Sequence, residues 1–170
     1  MATTAAGTPY VESSDLVANY PGVSLALANH IDTSTGKVLQ VVRATDSTVR
    51  STTSGTFVDA SISVTITPQK SDSALLIVWN GYTTHIISAG LSMYQITDSS
   101  NGAVSGAENA VVGNSSASNF NAMTTLIGYA TPGVTTAVTY KVRFRMLLGG
   151  TNRIDNATNT GQLYAYEVAA

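Results

Sequence analysis

The 170-residue chain contains no cysteine, so disulfides, thiolate metal sites and cysteine nucleophiles are all excluded. Its stability has to come from packing or from association between chains. Charged residues are scarce as well, at 11% against the roughly 25% usual in soluble domains. A net charge of -2 leaves no excess of Lys and Arg, so neither nucleic acid nor an anionic membrane surface is expected as a partner. No apolar run approaches the roughly 20 residues of a membrane span, and no membrane insertion is expected. Residues 1–7 hold no basic segment followed by an apolar one, which predicts synthesis in the cytoplasm without a secretion signal.

Groups that carry chemistry are equally sparse. The two histidines, His30 and His85, are far apart and have no acidic or nucleophilic neighbour in sequence. We place His30 at a helix end, where its ring suits the carbonyl terminus, and His85 in the loop after a buried strand. The carboxylates are scattered singly, no His-Glu-x-x-His run occurs, and no glycine-rich loop precedes a helix. We therefore expect no catalytic residues, no metal and no cofactor, and read the chain as one that binds and assembles.

What the chain has in quantity is Ser, Thr, Gly and Asn, the chemistry of strands joined by tight turns. From about residue 36 onward the apolar pattern has period two. Eight strands are predicted: Lys37–Ala44, Thr56–Thr67, Ser73–Thr83, Ile86–Asp98, Ala103–Val112, Asn119–Ala130, Thr135–Leu148 and Gln162–Val168. Ser73–Thr83 is apolar on both faces and suits a central strand. In Thr135–Leu148, residues Val138, Tyr140, Val142, Phe144, Met146 and Leu148 share one face, and Thr139, Lys141, Arg143 and Arg145 the other. Strands at short intervals without helical patterns between them predict an all-β, antiparallel, jelly-roll-like sandwich over residues 36–170. Ser47–Gly55 and Asn101–Ser118 are the predicted exposed loops.

The segment before it, residues 1–35, reads as one or two short helices. Ser13, Ser14 or Asp15 can cap a first turn, and Pro21 can open a second helix. Val23, Leu27 and Ile31 then fall on one side of about three turns. A helix that short is marginal alone in water, so its apolar stripe must dock on its own domain, a sister copy or another protein. Tyr10, Leu16, Tyr20, Val23, Leu27 and Ile31 are the anchoring residues this implies. On the last long strand, Lys141, Arg143 and Arg145 form either a contact for an acidic partner or a solvated outer face that discourages edge aggregation. Tyr82, Tyr94, Tyr129, Tyr140, Tyr164 and Tyr166 supply flat, amphipathic area for core packing, subunit contacts or sugars.

Two stretches carry a family resemblance. TPYVESSDLVANYPGVSLALANHID, residues 8–32, resembles the opening segment of bacteriophage tail-fibre and minor virion proteins. The following GKVLQVV strand, Ser/Thr-rich loop, TF-x-D turn and TITPQ-SDS-LLI hairpin resemble the start of the β domain in phage fibre and virion-surface proteins. The resemblance implies a homotrimeric virion protein, made in the bacterial host cytoplasm, whose N-terminal segment docks on other virion proteins. Its sandwich head would then contact a host surface glycan or envelope protein, with residues 102–118 and 151–160 as candidate contact loops. The absence of a shaft between anchor and head points to a short tail fibre, or alternatively to a trimeric capsid decoration protein. A glycan-binding module or a small glycan hydrolase is the remoter reading.

Overall fold

The computed structural model describes residues 2–3, 9–10, 20–33, 37–86, 90–108, 110–114 and 119–170. The chain divides into two compact units, Met1–Lys37 and Val38–Ala170. In the first, strands β1 (Ala2–Thr3) and β2 (Pro9–Tyr10) pair antiparallel, and helix α1 spans Tyr20–Thr33. Pro21 sits in the first turn of α1, where its missing N–H costs nothing because that donor would be unpaired in any case. The first turn expected around Ser13, Ser14 or Asp15 lies outside the described residues.

The second unit contains β3 (Val38–Asp46), β4 (Val49–Thr52), β5 (Val58–Ile66), β6 (Ala74–Ile86), β7 (Gly90–Asp98), β8 (Ala110–Asn114), β9 (Phe120–Ala130), β10 (Val138–Leu148), β11 (Thr151–Asp155) and β12 (Gly161–Val168). One sheet runs β5-β10-β7-β8; the other runs β3-β12-β6-β11-β4, with β9 on the opposite edge of β6. Four antiparallel pairs are nested: β3 with β12, β5 with β10, β6 with β9, and β7 with β8. The chain thus doubles back as one long hairpin, which is then rolled so that β12 meets β6 and β10 meets β7. That is the winding of a jelly roll, with β4 and β11 as an added pair.

Inward residues of both sheets form one core, including Ile62, Val64, Ile77, Trp79, Ile96, Phe144 and Leu163. β6 is a central strand, flanked on both edges; its inner face carries the fully buried Leu75, Ile77 and Trp79, whereas Leu76 and Val78 on its outer face are half-buried. Gly81 leaves room for the Trp79 indole, since a Cβ there would lie 2.5 Å from Cζ2.

Several local expectations change. Val49–Thr52, expected as loop, pairs with Thr151–Asp155, also expected as loop, which is itself paired with β6 on its other edge. The stretch 103–107 is not the start of a strand. It folds under β7 and β9, with bridges Thr97–Ala103 and Ser105–Tyr129, and buries Val104 and Ala107. β6 runs on to Ile86, so His85 lies inside a strand and is 1% exposed rather than in a loop. Leu148 leaves the inner row of β10, where the pairing with β7 slips after Met146, and is 59% exposed.

Candidate functional site

Three places in the sandwich bring polar or reactive side chains together. The first surrounds His85. Its Nδ1 lies 3.1 Å from the Ser92 hydroxyl, and neighbouring Tyr94 donates to Asn152 Oδ1 at 2.6 Å. Asn152 in turn donates to the Arg145 carbonyl at 2.8 Å, and Thr83 and Thr124 share a 2.7 Å bond. Burial pushes the Tyr94 hydroxyl up to about 12, against its bonds to Thr83, Ser92 and Asn152, so it stays a donor throughout the physiological range. A serine beside a histidine has the composition of a nucleophile and its base, but Ser92 is 0% exposed. These groups tie β6, β7, β9 and β11 together at one end of the core.

The second is Glu167, fully buried in β12. Its carboxylate accepts bonds from Ser73 Oγ at 2.6 Å, Gln40 Nε2 at 2.6 Å and the Gln69 and Lys70 amides at 2.8 and 3.2 Å. Burial raises its pKa, but these donors outweigh it and hold the group below its ordinary value of 4.5. Asp46 is similar: burial opposes ionisation, while Arg50, Asn156 and the Thr48 amide favour it, with a net lowering. Both carboxylates fasten loops to the sheet. Among the described residues, no group of three His, Asp or Glu side chains is placed to hold a metal ion. Among the described residues, no helix is long and apolar enough to cross a membrane.

The third is a depression of about 350 Å³ between Asp98, Pro132, Val138 and Tyr140. Here Asp98 Oδ1 is committed to the turn after β7, accepting from the Ser100 and Gly102 amides at 2.8 Å each.

The two outer faces of the sandwich differ more than any of these sites. On the β5-β10 side, Asp59, Ser61, Ser63 and Thr65 are exposed, and Lys141, Arg143 and Arg145 stand beside them, half-buried. The three basic residues are brought together, as alternate positions on β10 require, and each has an internal contact. Lys141 pairs with Asp59 at 3.5 Å, Arg143 donates to the Phe57 carbonyl at 2.6 Å, and the Arg145 guanidinium lies 4.7 Å from the Phe57 ring centre.

The outer face of β3, β12, β6 and β9 is dry by comparison. Register places Val41, Tyr166, Leu76 and Tyr129 in one row across it, and Arg43, Tyr164, Val78 and Ile127 in the next. A polar row of Thr45, Gln162, Asn80 and Thr125 follows, then Tyr82 beside Met123. Arg43 is the single charged side chain on those rows, and its guanidinium lies over the Tyr164 ring. Of the six tyrosines singled out in the sequence, Tyr82, Tyr129, Tyr164 and Tyr166 belong to this face, and Tyr94 and Tyr140 are in the core.

β9 makes the face unusual. It turns Ala122, Thr124, Leu126, Gly128 and Ala130 inward, and leaves Met123, Ile127 and Tyr129 outward and 54–56% exposed. The larger apolar side chains face water because the space inside is already filled. A Cβ at Gly128 would lie 2.7 Å from Val104 and 3.2 Å from Ala107. Sequence reasoning missed Met123, Ile127 and Val41. The one available signal was that β9 alternates small residues with large ones, which marks two faces without saying which is solvated.

Of the anchoring residues, Tyr10 lies in β2 and is 43% exposed, Val23 is buried, and Leu27 is 37% exposed beside Leu25 at 63%. Tyr20 and Ile31 belong to α1, with side chains outside the described set, and Leu16 lies outside the described residues.

No family model matches the chain, and no curated protein matches it. Among solved structures it is similar to a protein of infectious bursal disease virus, strain Gx, at 15% identity and TM-score 0.37, covering 77% of this chain and 37% of that one. It is also similar to the VP2 protein of the same virus in derived T=1 particles, at 12% identity and TM-score 0.34, with 79% and 37% covered. A third is the enzymatically active domain of bacteriophage CBA120 tailspike protein 4, at 10% identity and TM-score 0.30, with 77% and 20% covered. The chain thus spans well under half of each of these proteins, and the jelly-roll assignment rests on the strand order above.

Proposed function

We propose that the chain is a structural protein of a bacteriophage virion, working as a homotrimeric short tail fibre. Its N-terminal segment docks on other virion proteins, and its jelly roll is presented for attachment to a host glycan or envelope protein. The work is assembly and contact, without catalysis or a cofactor. The observation that carries this reading is the dry outer face of β3, β12, β6 and β9. Large exposed apolar patches mark interaction surfaces, because a protein acting alone gains nothing by holding them in water. The scarcity of charge fits the same role, since weakly charged Ser/Thr and aromatic surfaces are readily dehydrated at contacts.

Capsid decoration is a second reading with an observation of its own. Residues 102–107 and 151–155, within the stretches expected to be receptor-contacting loops, are folded against or into the sheets. A head whose candidate contact loops are partly committed to the sheets suits covering neighbouring subunits. Imaging the labelled chain on intact particles separates the readings. Label confined to the tail supports the fibre, label spread over the head supports decoration, and absence from particles overturns the virion assignment.

A further inference from the structure

We infer that copies of this chain associate through the outer face of β3, β12, β6 and β9, each face covered by its two sister copies around the axis of the homotrimer, an inference that rests on the assembly reading above. The chemistry of the face selects a protein over a sugar. Sugars need open aromatic platforms with polar groups around them, whereas Leu76, Val78, Met123 and Ile127 are aliphatic or thioether side chains. The Tyr164 and Tyr166 rings stack on each other at 5.7 Å and 21°, so one side of each ring is already taken.

Charge narrows the partner further. With no carboxylate on its rows and its single guanidinium placed over an aromatic ring, the face has nothing to offer a strongly acidic or basic surface. An uncharged partner is required, and the same face of another copy meets that condition. The polar row is partly satisfied within one copy: Asn80 donates to Thr125 Oγ1 at 2.7 Å, and Gln162 Oε1 accepts from the Tyr164 hydroxyl of the adjacent row at 2.5 Å. These bonds lower the cost of dehydrating it.

The dimensions also fit. Four strands about 4.8 Å apart, with outward rows about 6.7 Å apart, give a flat projection of about 500 Å². Because the side chains corrugate it, the accessible area exceeds that projection, in the direction of the ~800 Å² per partner of a standard interface.

Native mass measurement and sedimentation of the full chain at micromolar concentration test this. Wild type should be oligomeric, and Met123→Asp/Ile127→Asp should dissociate at least tenfold more readily with an unchanged circular dichroism spectrum. Ser63→Asp, on the other sheet's wet face, should leave the oligomer intact. A second readout does not depend on the double variant folding. Because the chain has no native cysteine, Ile127→Cys should react with a maleimide at least tenfold more slowly than Ser63→Cys. A wild-type monomer would overturn both this inference and the homotrimer. An oligomer indifferent to the aspartates, or equal labelling at the two positions, would overturn this inference alone.

Discussion

Glu167 shows how one residue reports on the whole molecule. Its carboxylate is stabilised by four donors in the folded chain and by water in the unfolded one, so its folded pKa is the lower of the two. The stability it contributes is fully present above its unfolded value and is lost as pH falls through the folded one. Thermal melts between pH 7 and pH 3 should show the midpoint falling with acid. In Glu167→Gln the acid slope should be shallower, with Asp46 supplying what remains, and the midpoint at neutral pH lower. Removing the acceptor altogether in Glu167→Ala should cost about 3 kcal/mol, or roughly 6–12 °C in a domain of this size. None of this was visible in the sequence, where Glu167 is one isolated acid in a strand. Ser61, with Asn101, is one of two non-glycine residues at positive φ among the described residues. It has φ 55 inside β5, where the pairing with β10 slips and the Asp59 carboxylate accepts its amide at 2.6 Å. A branched side chain is disfavoured at positive φ. Urea unfolding should therefore place Ser61→Val about 1–2 kcal/mol below wild type, and Ser61→Gly within about 0.5 kcal/mol of it.

At the scale of the element, β9 and β10 make an instructive pair. The alternation of β10 is legible in the sequence as far as Met146, with Leu148 the exception, because its inner row of Tyr140, Val142, Phe144 and Met146 is apolar and its outer row basic. β9 has the same period, but its inner row is the smaller one, and only packing explains that. The segment carrying Val104 and Ala107 lies beneath Gly128 and leaves no room for a larger residue. Gly128→Ala should destabilise by about 1–3 kcal/mol through overpacking. Trimming the obstacle in a Gly128→Ala/Val104→Ala double variant should give a loss smaller than the sum of the single losses, as a double-mutant cycle in denaturant would reveal. Strands β4 and β11 were illegible for a related reason. Val49–Thr52 and Thr151–Asp155 are short and rich in turn-forming residues; β4 finds its partner in β11 about a hundred positions away, and β11 lies between β4 and β6.

For the molecule as a whole, the two outer faces set the expectation for assembly. The β5-β10 face, with its hydroxyls and internally engaged basic residues, should tolerate substitution by charge. The β3-β12-β6-β9 face should not, and the aspartate and labelling experiments above compare the two directly. Local pattern was sufficient for the all-β class, for seven of the eight expected strands and for the helix opened by Pro21, while Ala103–Val112 overlaps β8 only at its end. Each of these depends on periodicity and turn chemistry within a dozen residues. It also singled out the four tyrosines that line the dry face, though without placing them together. Which side of each strand meets water was settled only by the rolled tertiary structure. A period-two pattern has two equivalent faces, and the choice between them is made by side chains contributed from distant parts of the chain.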